Sequence, residues 1–462
     1  MTSLLNALRG ALGDAYVLTD ESSMAAYCLD WRGRYQGQAL CVARPGNTAE
    51  VSAVVRMCAD HGVAVVPQGG NTGLCGGATP QGGEVVLSLC RLNRIRAVDS
   101  LDNTLTAESG CTLHEVQVAA AGAERLFPLS LASEGTATLG GNLSTNAGGV
   151  QVLRYGNARD LVLGLEVVLP DGRLWSGLRR LRKDNTGYDI KHLFIGAEGT
   201  LGVITAATLK LFPPLRSRAT AWAAVADPDA AVALLARLLE QTGHRVSAFE
   251  IVGRAALDLV LRHIPGSRDP LAGQPVWQVL IELTDTQQAD LDARLSQCLA
   301  DTGDVSDAVV ARSVAQATAL WALRENISEA QRCEGFSIKH DVAVPVSCIP
   351  EFINQAGAAL SVVCPDVRVV CFGHIGDGNL HYNLSHRASA DNAAFIARSG
   401  EISRIVHDIV HALGGSISAE HGVGQLKREE IRRYKSGIEL DVMRAIKRTL
   451  DPAGLMNPGK VL

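Results

Sequence analysis

The run Pro67–Gly77, PQGGNTGLCGG, constrains this chain more than any other segment, because five glycines follow directly on the apolar strand Val63–Val66. Backbone amides freed from side-chain obstruction form a concave nest suited to a pyrophosphate. No Gly-Lys-Ser/Thr closes the run, so it is not a Walker A loop. The Gly-x-Gly pairs at 376/378 and 422/424 lack the later glycine of a Rossmann fingerprint. A second cluster, Ser133–Gly149 (SEGTATLGGNLSTNAGG), repeats the chemistry. Two such loops point to a large phosphate-bearing cofactor.

Composition narrows the classes. With 462 residues, 47% hydrophobic and 20% charged, two to four domains are expected and a disordered or fibrous chain is excluded. A net charge of -5 gives no overall attraction to nucleic acid or anionic lipid. The expected chain has no membrane span, since no stretch approaches ~18 uninterrupted apolar residues. Eleven scattered cysteines without a C-x-x-C pair argue against a disulfide framework and for the cytoplasm.

Most glycine clusters fall before Gly202. There, β-branched runs (63–66, 85–89, 162–169, 203–211) alternate with helical stretches (49–61, 112–121), which predicts an α+β domain over residues 1–213. Pro213-Pro214 marks a boundary. Beyond it, strands at 219–225, 245–251 and 276–283 alternate with helices at 229–241 and 287–300, giving a second domain over 214–415 and a C-terminal segment over 416–462.

PQGGNTGLCGG, the second cluster and GAEGTLGVIT (196–205), in that order, resemble the FAD-binding domain of the vanillyl-alcohol oxidase and p-cresol methylhydroxylase superfamily. The resemblance implies FAD held by Pro67, Gly69, Gly70, Asn71, Thr72, Gly73, Gly76 and Gly77. Ser133, Thr138, Gly141, Asn142, Ser144, Ala147 and Gly148 would run along the rest of the cofactor, with Gly199, Ile204 and Asn457 completing the set. The first loop carries no histidine, so the flavin is expected to be noncovalent.

In VRVVCFGHIGDGNLHYNL (367–384), Asp377-Gly378 signals a two-residue hairpin turn needing positive φ at both positions. Pairing outward sets His374 opposite His381, with Asn383 on the same face. Two imidazoles so placed can bind a divalent ion. Glu420 and His421, in SISAEHGVG, are candidates for a third ligand and a base. A carboxylate beside two imidazoles suits zinc and, less selectively, manganese or iron in a catalytic site. Along a predicted helix over 313–331, Arg324 and Ser328 share a face, and Lys339 follows in a strand; together they can clamp a carboxylate.

LRENISEA, SIKHDVAVP, GHIGDGNLHYN and SAEHGVG resemble the D-2-hydroxyacid dehydrogenase branch of that superfamily, nearest its D-2-hydroxyglutarate-oxidising members. That resemblance implies a metal on His374, His381 and Glu420, and substrate contacts from Asn383, His421, Arg324, Ser328 and Lys339. His421 would be the catalytic base as hydride passes to FAD and 2-oxoglutarate forms. It further implies a PCMH-type FAD domain beside a substrate-binding domain with an antiparallel sheet flanked by helices. Electrons would leave to an electron-transfer flavoprotein or a quinone-linked acceptor, and the assembly would be a homodimer. Oxidation of D-lactate, D-malate or glycolate is the alternative within the branch. A zinc hydrolase is the alternative outside it.

Overall fold

The β-branched runs before Pro214 become the strands of two sheets in a computed structural model that describes residues 2–386 and 392–462. Strands β1 (Val17–Leu18), β2 (Ala39–Ala43), β3 (Val65–Gln68) and β4 (Glu84–Ser88) lie in the order β1-β2-β4-β3. Strand β4 runs parallel to both β2 and β3. Parallel neighbours need a crossover, and the helix Thr48–Asp60 supplies one. It starts where the Asn47 side chain accepts the Glu50 N–H, and it buries Val51, Val54, Val55 and Cys58 on one face.

Strands β5 (Ile95–Asp99), β6 (Thr104–Glu108), β7 (Val162–Val168), β8 (Leu174–Gly177) and β9 (Val203–Lys210) form an antiparallel sheet in the order β5-β6-β9-β7-β8. The helix Leu113–Gly122 packs Leu113, Val116 and Ala120 into the core of this region, opened by a reciprocal capping box between Thr112 and Glu115.

These sheets belong to one compact unit, Met1–Gly149 with Tyr155–Pro214 and Glu420–Leu462. The last piece carries the helix Gly437–Leu450, entered through a capping box between Ser436 and Glu439. It then returns alongside β3, where the Val65 N–H donates to Leu455 O and the Asn457 N–H donates to Val65 O, each at 2.8 Å.

The second unit comprises Val150–Arg154 and Leu215–Ala419. Its seven strands are β10 (Ser217–Val225), β11 (Val246–Gly253), β12 (Trp277–Asp285), β13 (Val305–Val310), β14 (Asp341–Ala343), β15 (Val367–Gly373) and β16 (Asn379–His386). All pairs are antiparallel, in the order β13-β10-β12-β11-β15-β16-β14. Trp222, Val252, Leu280, Val370 and Phe372 bury against Leu257, Val260, Leu323 and Ile327 to form its core. The expected α+β class, with an antiparallel sheet in the second region, is the observed one. Among the described residues, Val346–Val363 is the helical stretch with the length and hydropathy of a membrane span. Its Ile349, Phe352, Ala356 and Leu360 are buried inside this unit.

The helix predicted over 313–331 is two helices, Val314–Glu325 and Ile327–Cys333. Asn326 causes the break. Its side-chain Nδ2 donates to Ala322 O at 2.8 Å, drawing on the carbonyl that its own N–H also uses. Arg324 and Ser328 therefore sit on different helices, and the shared-face argument for that pair fails.

Candidate functional site

In the first unit the two glycine clusters wall a cleft. Glycine is required at two points by close approach. A Cβ on Gly69 would lie 2.2 Å from Thr138 Oγ1, and one on Gly70 would lie 2.0 Å from Thr136 O. The first loop thus lays its backbone directly on the second, which opens the helix Leu139–Ser144 with Thr138 as its cap. Asn71, at φ 52°, donates from Nδ2 to Leu29 O at 2.8 Å, so its side chain anchors the loop.

Of the residues picked from sequence for the flavin, Gly76, Ser133, Ala147, Gly148 and Asn457 stand off the cleft wall, and the others line it. Asn457 braces it from behind, donating to Gly77 O at 2.9 Å and to Glu198 O at 2.7 Å. Asn142 Nδ2 is buried at the wall without a hydrogen-bond partner among the described residues. A donor left so would cost on the order of 1–3 kcal/mol unless a ligand took it. A cleft lined by two glycine loops and holding an unmet donor fits FAD.

His421 lines the same cleft. The loop carrying it is held by Glu198, a residue the sequence reading passed over. Its carboxylate accepts the N–H groups of Val423 at 2.7 Å and Gly424 at 2.8 Å. Burial pushes the Glu198 carboxyl up, against the pull of those two donors and of Lys427.

In the second unit, β15 and β16 form the expected hairpin with a different turn. Phe372, not His374, pairs with His381. Between the strands lies a single 3-10 turn, Ile375–Asp377, closed by Gly378 at φ 85°. Asp377 stays at negative φ while its carboxylate accepts the Asn379 N–H at 3.1 Å, so the two-residue turn does not form. A Cβ on Gly378 would lie 2.2 Å from Val344 O, which ties the longer loop to the segment after β14. The register moves by two residues, an even step, so both histidines keep the same face. Their ring centroids are 5.8 Å apart, and ligand nitrogens of the pair come within 4.8 Å. Asp341, on β14 opposite His381, brings a carboxylate oxygen equally near the His381 ring.

Beneath the hairpin, β11 pairs with β15 through Ile251–Gly373 and Val252–Phe372, which brings Glu250 beside His374. Glu250 is fully buried. It accepts from His374 Nδ1 at 2.6 Å and from Arg324 Nε at 2.8 Å. Burial alone would push its carboxyl up, but its pairing with His374 and Arg324 holds it down at about 2. The Arg324 guanidinium lies 4.8 Å over the Phe372 ring, and its Nη2 is buried without a partner among the described residues.

Ser328 and Lys339 are exposed. The Asn383 amide is engaged within the fold, with Nδ2 donating to Gln331 at 2.9 Å and Oδ1 accepting the His340 N–H at 3.2 Å. The chain leaves this unit along β14, where the Ala419 N–H donates to Asp341 O at 3.3 Å, and Glu420 follows at the next peptide bond. Because Glu250 engages Nδ1 of His374, Nε2 is the nitrogen a metal would take. Two neighbouring imidazoles with carboxylates at hand form a donor set that fits zinc.

Residues 39–177 match the family described as FAD binding domain, and residues 215–461 match FAD linked oxidases, C-terminal domain. A D-2-hydroxyglutarate dehydrogenase of Xanthomonas citri pv. viticola is 40% identical over 446 residues, covering 96% of this chain and 93% of its own. The mitochondrial D-2-hydroxyglutarate dehydrogenase of Arabidopsis thaliana is 38% identical over 455 residues, covering 98% and 80% respectively. Among solved structures, p-cresol methylhydroxylase with substrate bound superposes with a TM-score of 0.79 at 18% identity, over 100% of this chain and 96% of that one, a likeness of fold.

Proposed function

Since the chain belongs to the FAD-linked oxidase family, we propose that it oxidises D-2-hydroxyglutarate to 2-oxoglutarate. The observation that carries this reading is the buried Arg324–Glu250–His374 triad, which joins an anion-binding cation to a metal-binding imidazole. FAD, when bound, supplies the hydride acceptor, and a divalent metal, zinc by its donor set, supplies Lewis acidity toward the 2-hydroxyl. His374, His381 and Glu420 would hold that metal. His421 removes the hydroxyl proton, imidazole being the commonest general base. Arg324 offers its unmatched Nη2 to the distal carboxylate, and Lys339 and Ser328 close on that group from exposed positions. Asn383, held by Gln331 and His340, keeps the strand that bears His381 in register.

The flavin is noncovalent, because Pro67–Gly77 has no histidine. Electrons then pass to an electron-transfer flavoprotein or a quinone-linked acceptor. We assign the protein to the cytoplasm and to a homodimer; the cysteines form no disulfide among the described residues, as suits a reducing compartment.

A second reading, a D-lactate, D-malate or glycolate dehydrogenase, is favoured by the exposure of Ser328 and Lys339. The zinc hydrolase is set aside, because a flavin family accounts for both glycine clusters and a hydrolase for neither. Anaerobic flavin bleaching by a panel of D-2-hydroxy acids separates the readings. The fastest bleaching by D-2-hydroxyglutarate is expected, and the fastest by D-lactate would move the assignment. Acid precipitation is expected to leave the yellow chromophore in the supernatant, and colour in the pellet would refute noncovalent binding.

A further inference from the structure

Glu250 is an expensive residue to keep. A carboxylate at the centre of an antiparallel sheet, with its side chain 1% exposed, loses its hydration and is tolerated only when paired and hydrogen-bonded. An apolar residue would suit β11 at this position, since Val246–Gly253 is buried throughout. The two oxygens of Glu250 are divided between two partners that lie far apart in sequence. Oε1 takes His374 Nδ1 and Oε2 takes Arg324 Nε.

Each bond fixes more than a distance. Donation from Nδ1 selects the tautomer and the plane of the His374 ring, so that Nε2 has a set direction. Donation from Nε fixes the plane of the Arg324 guanidinium, which is rigid, and so aims its Nη nitrogens. Phe372 lies under that plane, leaving the guanidinium little freedom to turn. Nη2, buried and without a partner among the described residues, is the atom this arrangement holds ready for an anion.

We propose that Glu250 is a positioning residue shared by the metal ligand His374 and the anion-binding Arg324, so that metal affinity and recognition of the distal carboxylate depend on one buried carboxylate. The inference rests on the reading given under Proposed function and adds a residue to it. A role confined to packing would leave both affinities unchanged in folded protein. Shared positioning must move them together.

The test is Glu250→Gln in the FAD-loaded enzyme, with the bound-flavin spectrum and circular dichroism as checks of fold. Zinc affinity is read by competition with a chromophoric chelator, and KM is read with D-2-hydroxyglutarate. Zinc affinity is expected to fall roughly 10- to 100-fold, and KM to rise at least about tenfold, the size expected when a charge-assisted contact is lost. A folded variant with either quantity at its wild-type value overturns the proposal.

Should the Gln variant fail to fold, Glu250→Asp takes its place. It keeps the charge, but its carboxylate is about 1.5 Å too short to serve both partners. A tenfold loss in zinc affinity together with a tenfold rise in KM supports shared positioning, and either quantity at its wild-type value refutes it. Wild-type enzyme that binds no zinc would overturn the metal reading and this inference together. Zinc binding with bleaching only by monocarboxylates would overturn the substrate reading and leave the zinc arm decisive.

Discussion

The flavin cleft of the first unit is shaped by two glycine loops packed on each other, whereas the histidine hairpin of the second is held in place by buried charge. Gly69 and Gly70 act by what they lack, letting one loop lie within contact of Thr136 and Thr138. Glu250 acts by what it carries, a charge shared between His374 and Arg324. Backbone recognition tolerates changes in side chains that merely flank the cleft. An ionised triad does not, because removing one member strands the others away from water. The cleft should therefore fail gradually under substitution, and the triad abruptly.

The largest expected effect is on the metal. Chelation or His374→Ala should lower the rate of flavin reduction by D-2-hydroxyglutarate on the order of a thousandfold or more, while the bound-FAD spectrum persists. Loss of flavin along with the metal would show that the two regions do not fail separately. Next comes His421, which lines the flavin cleft. Stopped-flow reduction of His421→Ala should be slower by about 10²- to 10⁴-fold. A variant that keeps the wild-type rate assigns the base elsewhere.

Smaller is the effect of Lys339→Ala on selectivity. Efficiency on D-2-hydroxyglutarate should fall by roughly ten- to a hundredfold, while efficiency on D-lactate, which has no second carboxylate, should barely change. An equal fall on both would make Lys339 a support of the fold. The mildest is Gly70→Ala, whose methyl must displace the Thr136 carbonyl. Thermal unfolding of the apoprotein should report a loss of about 1–3 kcal/mol, with zinc affinity unchanged. A change in zinc affinity would break the separation drawn above.

The same contrast decides what could be read from the chain beforehand. The cleft is written in contiguous motifs, since a nest needs consecutive amides, and Thr138, Asn142 and Gly199 follow from them. The hairpin was legible in its face but not its turn, because Asp377 satisfies Asn379 locally and Gly378 packs on Val344, a residue more than thirty positions away. Glu250 left no local trace. It sits in a run, VSAFEIVG, that reads as an ordinary strand, and only the pairing of β11 with β15 gives it meaning. Asn326 was legible as a residue type able to bond back on its own helix, and helical periodicity on either side concealed it. Glu198 lay within a quoted motif and was still passed over, because its bonds to Val423 and Gly424 span more than two hundred residues.

The pairing of residues 455–457 with Val65 bears on how the protein is made. At ~5–20 residues per second, a ribosome releases β3 long before it releases those partners. Meanwhile the second unit, encoded between them, has its own core and can fold while the first waits. The nascent flavin strand is thus exposed for tens of seconds with one edge uncovered, in the state most open to mispairing. Early termination near the C-terminus would then be more damaging than its small length suggests, leaving a chain with a finished second unit beside a cleft that cannot close.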